Sequence, residues 1–172
     1  MNETERRVHQ AMTEVMDPEI PACSVVDLGM VERIEAQDGV VEIDLLPTFV
    51  GCPAIEMIGR DVEAAALKAV PDRTVRVRFL YDPPWTTDRI TEEGRHRLTE
   101  FGIAPEWQGG PPARTVVPLM TVAAAPCPYC GSANTVKESS WGPTPCRTQH
   151  WCRACRNPFE GFKEKTSQGS GG

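Results

Sequence analysis

Cys127-Pro128-Tyr129-Cys130 and Cys152-Arg153-Ala154-Cys155 decide how this chain is read: two CxxC pairs separated by 21 residues, 131 to 151. A thiolate pair at that spacing curls round one metal with backbone N–H groups turned toward the sulfurs, and two such pairs complete a tetrahedron. The intervening length suits a hairpin that brings the pairs together, and Gly131 permits the positive φ such a turn demands. Four unrelated buried cysteines, the plainer reading, have no reason to fall into this pattern. Residues 127–165 are too few for an apolar core to hold alone. The metal is therefore expected to make the module fold, structural zinc contributing on the order of 10–16 kcal/mol in small domains. Four protein thiolates leave zinc no open position for a substrate, which argues against hydrolysis. Iron occupies the same four-cysteine frame, so spacing alone leaves zinc and iron both open.

Working outward, 172 residues leave room for one ordinary domain beside this small one. The 40% hydrophobic and 24% charged shares are those of a soluble globular protein, and no apolar run is long enough to cross a membrane. Met1 to Arg7 lacks the basic-then-apolar order of a secretory signal. Seven cysteines, four of them committed to a metal, point to a reducing cytoplasm rather than a disulfide framework. Charge is unevenly split: residues 1–103 hold 11 Lys/Arg against 20 Asp/Glu, a net −9, while 104–172 hold 7 against 4, a net +3. An acidic body repels a phosphate backbone, so no nucleic-acid partner is expected.

The first hundred residues alternate between helical and strand periodicity. Val8, Met12, Val15 and Met16 form one stripe of a helix over 3–16, ended by Pro18. Asp17-Pro18-Glu19-Ile20-Pro21 is a rigid acidic loop. Met30 to Ile34 and Val40 to Leu45 read as strands joined at Asp38-Gly39, a hairpin signal. Ile55, Ile58, Val62, Ala65, Ala66 and Ala69 share a face of a helix over 54–69. Pro53 suits the first helical position, which sets Cys52 at the N-cap, where the dipole favours a nucleophilic or metal-seeking thiolate. The plainer alternative is a small cysteine packed under a turn, and for Cys23 that reading is preferred. Val75 to Leu80 is a third strand, Trp85 packs back across the sheet, and Thr91 to Gly102 is a helix with Ile90, Leu98 and Phe101 inward. His9 and His96 read as solvated. The order describes an α+β, two-layer helix/sheet domain over 1–103. A Pro/Gly-rich linker over 104–126, in which Val116 to Val122 could add a strand to either neighbour, leads to the small C-terminal metal-bound β ribbon at 127–165. The tail, 166–172, is low in complexity and expected to be disordered.

These residues also carry a resemblance. Asp17-Pro18-Glu19-Ile20-Pro21, Val26-Asp27-Leu28-Gly29-Met30-Val31, Gly51-Cys52-Pro53 and Asp82-Pro83-Pro84-Trp85 resemble, in order, the motifs of the MIP-type iron–sulfur assembly domain. Trp141-Gly142-Pro143-Thr144-Pro145-Cys146-Arg147 and Asn157-Pro158-Phe159-Glu160-Gly161-Phe162-Lys163 are similar to the extension found in the D-subunit family of bacterial phenylacetyl-CoA epoxidase systems. Trp141 stands where that pattern has phenylalanine, and His150-Trp151 before Cys152 departs from it too.

The resemblance implies an accessory role in phenylacetate catabolism, maturing or delivering an Fe–S cluster or iron to oxygenase and reductase subunits. It carries Cys52 over as the transfer cysteine, with Asp17 and Glu19 as loop neighbours. A structural zinc would sit on Cys127, Cys130, Cys152 and Cys155. Cys146, six residues before Cys152, is a spare sulfur for exchange or is merely buried in the hairpin; His150 is a weaker substitute ligand. The chain shows no Gly-rich phosphate loop, HExxH pair or Glu-x-x-His arrangement, so a non-catalytic role is favoured. Because Cys52 is the one strong ligand of the first domain, a bridging cluster requires a homodimer, a transient assembly or a small thiol. The competing reading is a redox-active, rubredoxin-like iron in the ribbon, acting as a component of the oxygenase.

Overall fold

The computed structural model describes residues 1–105 and 125–162. The chain divides after Leu98 into two compact units, Met1–Leu98 and Thr99–Gly172, a few residues ahead of the expected boundary at 103. The expected strand at Val116 to Val122 and the tail at 166–172 lie outside the described residues.

The first unit opens with α1, Glu3–Met12, held by a reciprocal cap. The Asn2 side chain accepts the Glu5 N–H at 3.0 Å, and the Glu5 carboxylate accepts the Asn2 N–H at 2.7 Å. Val8, Met12 and Val15 face inward, but Met16 is 40% exposed and off the expected stripe. The helix ends at Met12 because Met16–Asp17 (β1) turns away to pair with Ile20–Ser24 (β2). The Asp17 carboxylate closes that turn, accepting the N–H groups of Glu19 and Ile20 at 2.8 and 2.9 Å.

β3 (Val31–Gln37) and β4 (Val40–Leu45) form the expected antiparallel hairpin, with positive φ at Asp38 and Gly39, 49° and 81°, as a type I′ turn requires. Helix α2 (Ile55–Ala69) then crosses to β5 (Thr74–Phe79), which pairs parallel to β4. The sheet order is β3-β4-β5, with α1 on β3 and α2, and α2 on β5. Val41, Ile43 and Leu45 are buried with Ile58, Val62 and Ala66 of α2, giving the two-layer helix/sheet core that the alternation implied. On the other face of the sheet, Asp44 lies between Arg33 and Arg78, each donating Nε–H at 2.9 Å. Burial works to raise the Asp44 pKa, but the hydrogen bonds from Arg78 and Arg33 outweigh it and hold the carboxyl below its usual value.

After β5 the Asp82–Pro83 peptide is cis, and Trp85 is buried, its indole N–H donating to the Leu28 carbonyl at 2.7 Å. A 3₁₀ turn, Thr87–Arg89, leads to α3, Glu92–Glu100. Ile90 and Leu98 are buried as expected, whereas Phe101 is 47% exposed because the helix has ended before it.

In the second unit the ribbon is larger than a hairpin. A two-residue strand, β6 (Ile103–Ala104), precedes an antiparallel meander of β7 (Thr135–Ser139), β8 (Arg147–Cys152) and β9 (Pro158–Phe162). Strand β6 adds parallel to β9, so the order is β6-β9-β8-β7. Ala104, assigned from sequence to the linker, therefore belongs to the ribbon's small core with Ala125, Cys127, Cys152 and Phe159.

Candidate functional site

The two CxxC turns are copies of one another. In the first, Gly131 N–H donates to the Cys127 carbonyl at 2.9 Å and Cys127 N–H to the Ser132 carbonyl at 3.0 Å. In the second, Arg156 N–H donates to the Cys152 carbonyl at 2.9 Å and Cys152 N–H to the Asn157 carbonyl at 3.0 Å. Gly131 and Arg156 hold the same position in each turn, with φ of 69° and 59°. Sequence reasoning foresaw the glycine and missed the arginine, whose left-handed backbone is costly for a side chain and is offset by the turn it completes.

The turns bring all four Sγ atoms within 4.8 Å of one another. Cys127 to Cys155 and Cys130 to Cys152 are each 3.6 Å. Zinc bonded to four thiolates at about 2.3 Å needs sulfur–sulfur edges of about 3.8 Å, so the donor set fits a tetrahedral thiolate-loving metal. Burial pushes the Cys127 thiol up to about 12, against N–H groups of Cys130 and Tyr129 that favour its thiolate. Burial also works to raise Cys155, but the Asn157 N–H and neighbouring sulfurs win and bring it to about 7. Thiols so differently placed ionise together only when a cation enters, and binding must release protons. The Asn157 amide, 3.6 Å from Cys155 Sγ, and the Cys155 N–H, 3.5 Å from Cys152 Sγ, are outer donors of the kind that orient metal thiolates.

The cluster has a dry and a wet side: Cys127 and Cys152 are buried, Cys155 is half-buried and Cys130 is exposed. Neither spare ligand joins it. Cys146 is buried with its Sγ 3.2 Å from the Thr144 hydroxyl. His150 is fully buried, stacked on Phe159 at 5.1 Å, its Nε2 2.8 Å from Thr148 Oγ1. Since that hydroxyl donates its proton to the Gly161 carbonyl, the ring must carry its hydrogen on Nε2. Burial, helped by Lys137, lowers the His150 pKa to about 4 and keeps it neutral.

Cys52 is half-buried in the loop between β4 and α2. Its N–H donates to Phe49 at 3.2 Å, its carbonyl accepts from Ile55 at 3.3 Å, and Gly51 before it has φ 92°, a conformation that suits glycine. The N-cap of α2 is Ala54, with no side-chain cap, so the expected placement of Cys52 at the N-cap is corrected by two residues. A tight turn is inserted there, and Pro53 lies in it rather than in the helix. Asp17 is buried, Glu19 is half-buried, and both lie in the β1–β2 turn. Among the described residues the four ribbon cysteines are the single group of three or more ligating side chains, so Cys52, Asp17 and Glu19 do not form one.

Comparison with known proteins follows this division. Residues 5–79 match the family described as iron–sulfur cluster assembly protein, and residues 111–163 match the PaaD zinc beta ribbon domain. A protein of Escherichia coli (strain K12), named as the D subunit of a "putative 1,2-phenylacetyl-CoA epoxidase", is 37% identical over 153 residues, 88% of each chain. An Fe–S protein maturation auxiliary factor of Porphyromonas gingivalis (strain ATCC BAA-308 / W83) is 30% identical, covering 56% of this chain and 91% of its own. A crystal structure of a domain of unknown function, DUF59, from Bacillus anthracis superposes with a TM-score of 0.53 at 27% identity, covering 55% of this chain and 91% of that one. With an iron–sulfur assembly domain and a PaaD-type zinc ribbon in one chain, in the order of a relative that it matches almost end to end, the chain belongs to the D-subunit family of phenylacetyl-CoA epoxidase systems.

Proposed function

We propose that the chain is an accessory factor of phenylacetyl-CoA epoxidation that matures its partners. In this reading the first domain takes up an Fe–S cluster or iron on Cys52 and passes it to an oxygenase or reductase subunit, while the ribbon docks that client. The observation that carries the proposal is the half-buried Cys52 thiol, set by Gly51 in a turn ahead of α2, within a domain matching the iron–sulfur assembly family. A transfer site must bind its cargo and let it go, and one accessible thiolate does so more readily than an enclosed ligand set. The ribbon is of the opposite kind: its four sulfurs close round the metal and leave no position for substrate, which suits a structural zinc. In this reading Asp17 and Glu19 of the acidic β1–β2 turn act as loop neighbours of Cys52, and a homodimer, a transient assembly or a small thiol supplies the remaining ligands of a bridged cluster.

The test is Cys52→Ser expressed with the oxygenase and reductase subunits in cells lacking the native protein. The variant should fold, load its ribbon metal and leave the client subunits short of iron and inactive. Clients that carry their full complement of iron beside the variant would overturn the proposal. A visible absorption spectrum of the purified chain separates zinc from a rubredoxin-like iron in the ribbon, since zinc thiolates are colourless.

A further inference from the structure

The sheet of the first unit has two edges, and they are finished differently. On the β3 edge Ala36 is held by the cap of α1: its N–H donates to the Glu5 carboxylate at 3.1 Å, and its carbonyl accepts from the Asn2 amide at 3.4 Å. Arg89 covers the other end of β3, donating to the Val31 carbonyl at 3.2 Å. An edge blocked in this way offers little ladder to another chain. The β5 edge is open. Thr74 and Leu80, at its two ends, give their N–H groups to the β4 side, to the Gly39 carbonyl at 3.0 Å and the Leu45 carbonyl at 2.8 Å. Backbone groups of successive strand residues point to alternate sides, so Arg76 and Arg78 also serve β4, and the N–H and C=O groups of Val75, Val77 and Phe79 face away from it. Among the described residues the sheet ends at β5, and those outward groups have no hydrogen-bond partner.

Beside the open edge runs a groove of about 540 Å3 between β5 and α2. Ile55, Val77 and Phe79, all half-buried, line it, and Gly59 leaves room for the Phe79 ring, since a Cβ there would stand 3.2 Å from Cε2. On the helix side of the groove the exposed Glu56 and Arg60 pair with each other at 3.3 Å. The side chains of an added strand would alternate, one set over this groove and the other on the opposite face beside Arg76 and Arg78. Arg78 already clamps Asp44, donating Nε–H at 2.9 Å. Arg76 is 64% exposed and reaches Glu42 only at 4.0 Å, so its outer side is left to a carboxylate on the incoming strand. A second copy of this chain fits badly. Two β5 strands about a twofold axis pair antiparallel, and the registers that overlap most set Arg76 against Arg76 or Arg78, like charges directly opposite.

We propose that the open edge of β5 takes up an extended segment of another protein, whose apolar residues lie alternately over the α2 groove and whose acidic residues between them face Arg76. Main-chain hydrogen bonds to Val75, Val77 and Phe79 supply the affinity, and the alternation supplies the selectivity. The surface lies wholly within the first unit and goes beyond the maturation reading, needing neither the Cys52 thiol nor the ribbon metal.

The probe is a fluorescein-labelled peptide of four Val-Glu repeats, titrated by anisotropy against the full, metal-loaded chain. Saturable binding is expected, weakened about fivefold by Arg76→Glu and about tenfold or more when lysines replace the peptide's glutamates. An unchanged urea midpoint shows that the Arg76→Glu chain is folded. N-methylation separates strand pairing from plain charge attraction. Methyl groups on one alternate set of residues point into the ladder and should lower affinity about tenfold or more, while those on the other set point away and should leave it unchanged. Equal affinity of the two methylated peptides, equal binding of the lysine peptide, or no saturation would each overturn the proposal. A dimer in sedimentation that the peptide dissociates would give the edge to a second copy, and would overturn it too.

Discussion

Stripping the metal from the chain should unfold the ribbon and leave the first unit intact. The ribbon's described core cluster holds Ala104, Ala125, Cys127, Cys152 and Phe159, and Phe159 is its one large side chain. Burying a phenylalanine contributes about 1.5–3 kcal/mol, and a structural zinc on the order of 10–16 kcal/mol. A domain this small seldom has more than about 3–5 kcal/mol of net stability, so losing the metal reverses the sign. Losing one ligand of four is nearly as severe: an even quarter of the metal's contribution is about 2.5–4 kcal/mol, most of the margin. Cys152→Ala is the sharpest such change, because Cys152 is 0% exposed and also receives the Cys155 N–H. Hydrogen exchange read by mass spectrometry, with and without a strong chelator, follows the two units separately. The amides of Arg147–Cys152 and Pro158–Phe162 should lose protection while those of Val40–Leu45 and Thr74–Phe79 keep theirs. Protection retained across Arg147–Cys152 in protein shown to be free of metal would refute the claim that the metal makes the fold.

Three further changes probe the first unit. The Asp44 carboxyl is held below its usual value in the fold, so its contribution to stability is fully present above the unfolded pKa, near 4, and is lost as pH falls through the lower folded value. Asp44→Asn should cost about 1–2 kcal/mol at neutral pH and flatten the acid limb of a urea-stability profile, whereas an unaltered limb would count against the arginine clamp. Trp85→Phe removes the donor to Leu28 and leaves a buried carbonyl unpaired, a loss of about 1–3 kcal/mol that a shift in the urea midpoint would show. Burial, then the Asp27 carboxylate, pushes the Cys23 thiol up to about 11. At pH 8 iodoacetamide should label Cys52 in the folded, metal-loaded chain and leave Cys23 untouched until denaturant is added, as peptide mapping would reveal.

What was legible in the sequence is what local chemistry dictates. The CxxC pairs, the Asp38-Gly39 hairpin and the strand–helix–strand order of β4, α2 and β5 all leave short-range signals, whereas the parallel pairing of β4 with β5 does not. Strand β6 left none: two residues have no periodicity, and their partner, β9, is more than fifty residues away. Phe101 and Met16 were placed inward by helical stripes that outran their helices, both of which stop early. The positive φ of Arg156 was missed because glycine is the usual sign of that conformation. Its position after the second CxxC, matching Gly131 after the first, was the available clue.

The Cys52 correction changes the argument about its chemistry. At the N-cap, the helix dipole and unsatisfied N–H groups would have stabilised a resident thiolate. Two residues ahead of Ala54, with its own carbonyl serving Ile55, Cys52 stands outside the first turn, where that field falls away. On the proposed delivery role, the positive charge that makes this sulfur a ligand would come from the cargo rather than from the helix. The ribbon differs: twin turns preposition four sulfurs round one point. Under the proposed function, the ribbon would hold its metal while Cys52 would hand its cargo over. Cys52 lies outside any group of three or more ligating side chains among the described residues, which is compatible with the transient role proposed for it.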